Sequence, residues 1–417
     1  MGMLNKNKRT LCALCKGSRR LCGKPVCPIL ERFKVQVRTL SKVSSEELYG
    51  ATPPSLLVGE YGYPKVRVGI NLPPEVGEEA KDYDNPEGWW GVKGLRDIIS
   101  LRSSMIYSSF KVNVKEAKRE GNRLLEALKE AALSLSPVEG EASLKAKPKP
   151  YLSFDTTLAP IGPKADLKRW ENISNPKVPR LVGKVVGDTD LRAAEALKLL
   201  FEGGISLYHI VRLLSLGLIG RSKSRRLVPT RWAITAVDKI ISDYLVRELR
   251  DYGEYPNLEL KYVEYLGNRY AILLVPGPWS YEMVEIWLPN SIWVKEGKAY
   301  SLSIYEGHNG VVRGPMDGGY YAIRVAVAEW LAKLRKQATV IAFREVTPDY
   351  YAPVGAWQIR ESVRNALRGR GEVLSDVEEA LMYLRGKLST PPEWLARGSK
   401  LIGLLLKGRK LTDFVGG

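Results

Sequence analysis

A cysteine cluster near the start of the chain is the feature that most restricts how this sequence can fold. All four cysteines of the 417 residues lie in one short segment, with the spacing C-x2-C-x6-C-x4-C: Cys12, Cys15, Cys22 and Cys27. Zinc binds four soft ligands at the corners of a tetrahedron, and a C-x2-C turn supplies two of them. Gly17 and Gly23 provide permissive backbone beside these turns. The segment therefore predicts one structural zinc ion in a compact knuckle.

Two disulfides, or a redox or iron–sulfur role, are the alternatives for these cysteines. The first residues are polar and basic with no apolar segment behind them, so the sequence contains no recognisable secretory signal. We therefore expect a cytoplasmic protein, in which structural disulfides are rare. The chain also lacks an apolar run long enough to span a bilayer, so we expect no membrane partner. These points favour zinc.

The charge of the chain indicates a polyanionic partner. The formal net charge is +18, and residues 1–43 supply +10 of it, because they contain eleven Lys or Arg and one acid, Glu31. Nucleic acid is the commonest partner of such a surface. A basic protein with a merely solvated surface is the alternative.

Helical and strand patterns are interspersed, which predicts an α+β (mixed α/β) fold. Apolar periodicity predicts helices at 112–135, 193–218 with a break at Gly203-Gly204, 232–250 and 322–336, and strands at 258–264, 269–275 and 339–343. A helix start is expected at 44–47, and an exposed connection at 136–150.

Four segments follow from these patterns. Residues 1–43 form the basic zinc-knuckle segment, and 44–295 form a mixed α/β body. Residues 296–406 form a C-terminal mixed domain that ends in helices, and 407–417 form a tail.

The densest basic run in the body begins at Gly220 and leads into the helix predicted from residue 232. Guanidinium groups, hydroxyls and backbone N–H groups are the donors that a phosphate requires. The candidate phosphate or nucleic-acid ligands are Arg221, Ser222, Lys223, Arg225, Arg226 and Arg231. The alternative is a solvated basic loop.

Acidic residues in the C-terminal half allow a different chemistry. Asp317, Glu345 and Asp349 could together hold Mg²⁺ for phosphodiester chemistry. Structural ion pairs with nearby arginines are the favoured alternative for these carboxylates. Of the two histidines, His308 is the candidate acid–base group, whereas His209 lies in an apolar helical pattern and is expected in the core.

The extreme C-terminus resembles the tail peptides that bind a DNA sliding clamp. Leu411, Phe414 and Val415 would form the apolar face of a single 3₁₀ turn. The usual motif begins with Gln and ends with two aromatic residues, whereas this chain has Gly408 and Val415 at those places. Packing of the tail on its own chain is the alternative.

Taken together, these motifs resemble the archaeal Nre DNA repair proteins over nearly the whole chain. The resemblance is carried by the cysteine cluster, the segments 62–66, 220–238 and 314–321, and the tail. It implies participation in the repair of damaged DNA. It also implies contact with the sliding clamp (PCNA) in one of the two paralogue types, here through Leu411, Phe414 and Val415.

The leading hypothesis is a zinc-containing DNA repair factor that binds DNA phosphates and docks on the sliding clamp. A phosphoryl-transfer or nucleotide-processing enzyme that uses the carboxylates is the second hypothesis. An RNA- or ribosome-associated factor is the third, since the same basic surface would attract A-form RNA.

Overall fold

The computed structural model describes residues 14–19, 21, 27–43, 45–152, 160–291, 294, 298–314 and 316–407. They form two compact units, an N-terminal unit of Cys15–Ile241 and a C-terminal unit that begins at Ser242. The boundary lies inside one helix, Thr230–Leu249. It falls within segment 44–295, and the four-segment division stays a prediction.

The described part of the N-terminal unit contains a six-stranded mixed sheet. Its strands are β1 (Glu47–Thr52), β2 (Leu56–Val58), β3 (Lys65–Leu72), β4 (Ile106–Asn113), β5 (Val138–Leu144) and β6 (Lys164–Asn172). They lie in the order β1-β5-β6-β4-β3-β2, and neighbours are antiparallel except for the parallel pair β4 and β6.

Helices accompany this sheet. They are α1 (Pro28–Leu40), α2 (Pro86–Trp89), α3 (Leu95–Ser104), α4 (Arg123–Ala132), α5 (Arg180–Gly187), α6 (Ala193–Glu202), α7 (Leu207–Ser215) and α8 (Thr230–Leu249). Helix α4 illustrates why they pack. Its apolar residues Leu125, Leu128, Ala131 and Ala132 recur at helical spacing and are fully buried.

The described part of the C-terminal unit is built on a seven-stranded sheet. Its strands are β8 (Glu259–Tyr265), β9 (Asn268–Val275), β10 (Ser280–Trp287), β11 (Tyr300–Glu306), β12 (Val312–Arg313), β14 (Thr339–Val346) and β15 (Glu372–Val373), while β7 (Gly253–Glu254) and β13 (Lys336–Gln337) pair separately. The order is β12-β11-β10-β14-β9-β8-β15, with β10 and β14 parallel. The helices are α9 (Gly318–Leu334), α10 (Trp357–Arg368), α11 (Val377–Leu384), α12 (Pro392–Gly398) and α13 (Lys400–Leu406).

Strand β14 is buried along its whole length. Ile341 and Phe343 belong to a hydrophobic core that also contains Leu381, Leu395 and Leu401 from the C-terminal helices. Helix α10 packs against the neighbouring strands β8 and β9. A strand covered on both faces needs apolar residues on both, which explains its nearly continuous apolar sequence.

Two buried carboxylates on this sheet hold the segments that lead into the last helices. Glu282 accepts hydrogen bonds from Ser399 Oγ at 2.6 Å and from the backbone N–H groups of Lys400 and Leu401 at 2.8 Å. It thereby satisfies the otherwise unpaired first N–H groups of α13. Glu345 accepts from Thr390 Oγ1 at 2.6 Å and from the Thr390 N–H at 2.8 Å. Carboxylates on the sheet therefore hold the segments that precede α12 and α13 in place.

The α+β prediction is confirmed, and the hairpin predicted between 258–264 and 269–275 is present. Its turn residues Leu266 and Gly267 have φ values of 52° and 70°, the left-handed pair that a tight two-residue hairpin requires. A Cβ at Gly267 would also lie within 2.5 Å of the Tyr350 nitrogen. Both the positive φ and the close approach of the Tyr350 nitrogen therefore require glycine at this position.

Some local predictions were wrong. The expected helix at 112–135 is the end of β4 followed by α4 from Arg123, and the expected connection at 136–150 contains β5. A helix start was also expected at 44–47, but Glu47 begins β1, which pairs with β5 along its whole length. Long-range strand pairing overrides local helix signals in this region. Within the described ranges, none of the helices combines the length and apolar composition needed to cross a membrane.

Candidate nucleic-acid interface

The basic loop, residues 220–226, follows α7 and leads towards α8. It starts at Gly220, whose φ is +96° and where a Cβ would lie 3.2 Å from the Cβ of Ala193, the first residue of α6. The backbone N–H of Ser222 donates to the Thr189 carbonyl at 2.8 Å, and Ser222–Ser224 form a 3₁₀ turn. The loop is therefore anchored beside the N-terminal end of α6.

Arg225 holds this loop to the C-terminal end of α5. Its Nε donates to the Gly220 carbonyl at 2.8 Å, and its Nη2 donates to the carbonyls of Val186 at 2.8 Å and Asp188 at 3.3 Å. The last carbonyls of a helix lack intrahelical partners and carry partial negative charge, so a guanidinium stabilises them. Arg225 was predicted as a phosphate ligand, and the structure adds this architectural role.

A cavity of about 380 Å³ opens against the loop. Four arginines line it, namely Arg192, Arg221, Arg225 and Arg226, together with Gly220 and Ser224, and no carboxylate is among the described residues at its wall. Arg192 and Ala193 also mark the beginning of α6, the positive end of its dipole. The four arginines give the cavity a positive charge that suits an anion, while Ala193, Leu214, Ile219 and Val228 make much of its wall apolar.

Lys129 lies near the basic loop, and the pKa of its amino group is affected by Arg225. Burial, and next the positive charge of Arg225, lower the pKa of the Lys129 amino group. This group donates to the Ala117 carbonyl at 2.5 Å. Lys129 is therefore a largely buried neighbour of Arg225, and the nearby Glu126 acts in the opposite direction on its pKa.

The remaining predicted loop residues point away from strong internal partners. Arg221, Ser222, Lys223 and Arg226 are exposed. Arg221 Nε makes only a long contact of 3.4 Å to the Asp190 carbonyl. Lys118 Nζ, which the sequence did not suggest, donates to the Lys223 carbonyl at 3.3 Å. The structure thus adds Arg192 and Lys118 to this basic surface. Nothing in the local sequence around either residue marks it as part of the site.

Arg231 stands apart from the cavity. Its guanidinium contacts Glu60 Oε2 from Nε at 3.1 Å and from Nη2 at 3.0 Å, while 71% of its side chain stays exposed. Thr230 Oγ1 accepts from the Val58 N–H at 2.9 Å and lies 3.0 Å from Ser215 Oγ. The start of α8 is therefore tied to strand β2.

The three carboxylates predicted to hold Mg²⁺ have different surroundings in the structure. Glu345 accepts from Arg269 Nη1 and the Ser389 N–H at 3.0 Å, in addition to its bonds with Thr390. Asp317 caps α9 by accepting from the Tyr320 N–H at 3.0 Å, and Asp349 is exposed. These contacts support the structural alternative for Glu345. Among the residues that the structure describes, no group of three or more His, Cys, Asp or Glu is arranged to hold a metal.

Asp317 instead lies near a buried ion pair. A Cβ at Gly319 would be 3.3 Å from Asp317 Oδ1 and 3.8 Å from Glu285 Oε1, and Glu285 pairs with Arg344. Burial, against the opposing effect of Arg344 and together with the Asp317 charge, raises the pKa of Glu285 to about 7. From the sequence, Asp317 was grouped with Glu345 and Asp349 instead of with Glu285. The sequence alone does not reveal that the strand carrying Glu285 lies beside the start of α9.

The two histidines occupy different environments. His209 is 3% exposed, and its Nε2 lies 3.1 Å from the Ala132 carbonyl. Burial, with the neighbouring Arg212 charge, lowers the pKa of His209 to about 3, so it is a neutral core residue as expected. His308 is half-buried in the segment between β11 and β12. Its role as an acid–base group stays a prediction.

The fold and site define a two-unit α+β protein with an arginine-lined cavity in its N-terminal unit. The family model described as "Archaeal Nre, N-terminal" matches residues 21–294, and "Archaeal Nre, C-terminal" matches residues 304–414. The chain belongs to the archaeal Nre family. No solved structure matches it.

Similar proteins include two from Archaeoglobus fulgidus. The "DNA repair protein NreB" of that organism is 37% identical over 89% of this chain and 92% of its own length. Its "DNA repair protein NreA" is 35% identical over 94% of this chain and 97% of its own length. The "DNA repair protein NreA" of Haloferax volcanii is 34% identical, over 87% and 90% respectively.

Replacement of Glu345 distinguishes a structural from a catalytic carboxylate. Glu345→Gln places an amide donor against backbone donors and leaves Arg269 without its buried partner. We expect a loss of about 2–4 kcal/mol in the free energy of unfolding, measured by denaturant titration. The exposed Asp349→Asn is the control and is expected to change stability by less than about 0.5 kcal/mol. Unchanged stability combined with loss of a nucleotide or phosphodiester turnover would instead assign Glu345 to catalysis.

Proposed function

We propose that this protein is a DNA repair factor that binds the DNA backbone through the basic loop and docks on the sliding clamp (PCNA) through its tail. The relatives named as DNA repair proteins support the repair role. The observation that carries DNA binding is the cavity with four arginines.

The arrangement of this cavity suits a phosphate in three respects. Guanidinium groups offer planar, charge-assisted donors that match phosphate oxygens. The start of α6 adds the positive end of a helix dipole, which Glu195 partly offsets by accepting from the Arg192 N–H at 3.3 Å. The exposed Lys223, with Lys118 Nζ at 3.3 Å from its carbonyl, extends the positive surface beyond the cavity, where a neighbouring phosphate of a backbone would lie. An isolated small anion would not need this extension.

Charge reversal in the loop tests DNA binding. We expect the triple variant Arg221→Glu, Lys223→Glu, Arg226→Glu to weaken DNA binding at least tenfold. The slope of log affinity against log salt should fall by about 3, since each phosphate contact contributes roughly 0.9. Arg225 is left intact because it holds the loop. Fluorescence anisotropy with labelled DNA, and with RNA of the same sequence, measures both quantities.

The control is Lys145→Glu, Lys147→Glu, Lys149→Glu, which changes the net charge equally at exposed residues around the end of β5. If both triple variants weaken binding equally, general charge and not the loop is responsible. If the loop variant binds DNA as the unaltered protein does, the loop has no role. Tighter binding of RNA than of DNA would support the RNA-associated alternative.

The proposal includes one structural zinc ion held by Cys12, Cys15, Cys22 and Cys27. Cys12 and Cys22 lie outside the described residues. Cys15 is buried and its carbonyl accepts from Ser18 N at 3.1 Å, while a Cβ at Gly17 would lie 3.3 Å from Cys27 Sγ. The turn after Cys15 thus packs against the Cys27 sulfur. Cys27 directly precedes the first residue of α1. The packing of these two segments supports the proposal that both cysteines bind one ion.

Metal analysis of the full chain tests the zinc site. We expect one zinc per chain by mass spectrometry, with a large loss in Cys27→Ala and no loss in Ser18→Ala. A chelator should also weaken DNA binding, because Lys16 and Arg19 lie on the knuckle and would lose their fixed positions. A zinc-free protein whose intact mass reveals two disulfides would contradict this part of the proposal.

Clamp docking rests on Leu411, Phe414 and Val415, which lie outside the described residues. A hydrophobic residue followed by two more at helical spacing presents one apolar face to a partner. We expect a peptide of residues 404–417 to bind the clamp with micromolar affinity in a calorimetric titration. The peptide with Leu411→Ala and Phe414→Ala is the control and should not bind. Absence of binding by the native peptide at high micromolar concentration would contradict docking through the tail.

A further inference from the structure

Two exposed aromatic rings, Tyr63 and Trp232, form a surface patch in the N-terminal unit that the basic loop does not explain, and the exposed Tyr61 lies two residues before Tyr63 in the chain. Tyr61 is 95% exposed, Tyr63 is 46% exposed and Trp232 is 44% exposed. The two tyrosines lie in the connection between β2 and β3, and Trp232 lies in the first turn of α8. We call these three residues the aromatic platform. Large aromatic side chains left in solvent as a group indicate a binding surface.

Contacts within the protein hold Tyr63 and Trp232 in place while leaving nearly half of each side chain exposed. The Tyr63 and Trp232 rings are 5.3 Å apart between centroids and tilted by 41°. Trp232 Nε1 donates to Glu60 Oε2 at 3.0 Å, and Arg231 contacts the same oxygen. The indole edge is thereby held in place. An ordered aromatic surface can stack on a ligand with little loss of side-chain entropy.

The platform adjoins the basic loop along the chain. Val228 lines the arginine cavity, and Trp232 follows it by four residues, so their Cα atoms are separated by at most about 14 Å. Ser215 Oγ donates to the Val228 carbonyl at 2.8 Å and lies 3.0 Å from Thr230 Oγ1, which accepts from Val58 N–H of β2. The loop end, the start of α8 and strand β2 thus form one connected set of contacts.

We propose that the aromatic platform stacks on unpaired bases of single-stranded DNA whose phosphates contact the basic loop. This inference rests on the proposed DNA binding and names the form of DNA that the site prefers. Bases in a duplex are already stacked on each other, so their faces are not available to tyrosine or tryptophan. Unpaired bases offer these faces, and sites for single strands combine a basic groove with aromatic side chains. The exposed Lys65, two residues after Tyr63, adds positive charge near the platform, whereas the charge of Arg231 is paired with Glu60.

Binding of a short oligothymidylate and of a duplex of equal length to the full chain tests the proposal. We expect Tyr61→Ala and Trp232→Ala each to weaken oligothymidylate binding roughly 5- to 100-fold, the range for loss of one stacked base, and to leave duplex binding nearly unchanged. Trp232→Phe should restore most of the affinity, because it keeps an aromatic face. The control is Tyr49→Ala, which removes a tyrosine that is 56% exposed on β1 of the same unit.

The outcomes separate this inference from the proposed function. If the platform variants bind oligothymidylate normally while the loop charge reversal abolishes binding, the platform inference is wrong and the DNA-binding function stands. If the unaltered protein binds neither DNA, both are wrong. Equal losses for single strand and duplex would overturn the preference for unpaired bases and leave a docking surface for another macromolecule.

Photocrosslinking gives a second measurement that does not depend on the folding of any variant. An oligothymidylate that carries 5-iodouracil is irradiated with the unaltered protein, and the crosslinked peptides are identified by mass spectrometry. We expect crosslinks at Tyr61, Tyr63 or Trp232. Crosslinks confined to other peptides would overturn the stacking role.

Discussion

The arginine-lined cavity depends on the contacts of Arg225 with three backbone carbonyls. This guanidinium joins the end of α5 to Gly220 and so determines where the basic loop begins. It neutralises helix carbonyls that would otherwise place partial negative charge beside the cavity. Arg221 and Arg226 then line the cavity from exposed positions, and Arg192 does so from the start of α6. Arg225 therefore supports the loop and also lines the cavity wall. Its replacement would change folding and ligand binding together, so the two effects could not be separated.

In the C-terminal unit, buried carboxylates hold chain segments together, as Arg225 does in the N-terminal unit. Glu282 and Glu345 each accept several hydrogen bonds from the segments around α12 and α13, and Glu306 accepts two from Arg324, at 2.7 Å and 2.9 Å. A buried charge is tolerated when its lone pairs are filled in this way, and removal of one partner leaves the other charge unpaired. Of the acidic residues that resemble a catalytic group in sequence, Glu345 and Asp317 thus have structural contacts. The arginine-lined cavity lies in the N-terminal unit.

Sequence patterns succeeded where the determining interactions are local. The hairpin at Leu266-Gly267 follows from two left-handed turn residues between alternating strands, and α6 and α7 follow from helical spacing interrupted by Gly203-Gly204. They failed at 112–113 and 138–144, where the end of β4 and strand β5 form because partners distant in the chain pair with them, whereas α4 lies within the predicted helix at 112–135. Local propensity amounts to tenths of a kcal/mol per residue, so pairing and burial outweigh it.

The sequence by itself determined the α+β class, the family, the basic run at residues 220–226 and the cluster of four cysteines. The structure alone decided which of those basic residues are anchored and which are exposed. It also decided that Arg192 lines the same cavity, and that Tyr63 and Trp232 form one surface although more than a hundred and sixty residues separate them. The physical reason is that spacing along the chain specifies local periodicity, whereas proximity between distant segments is created only when strands pair and helices pack.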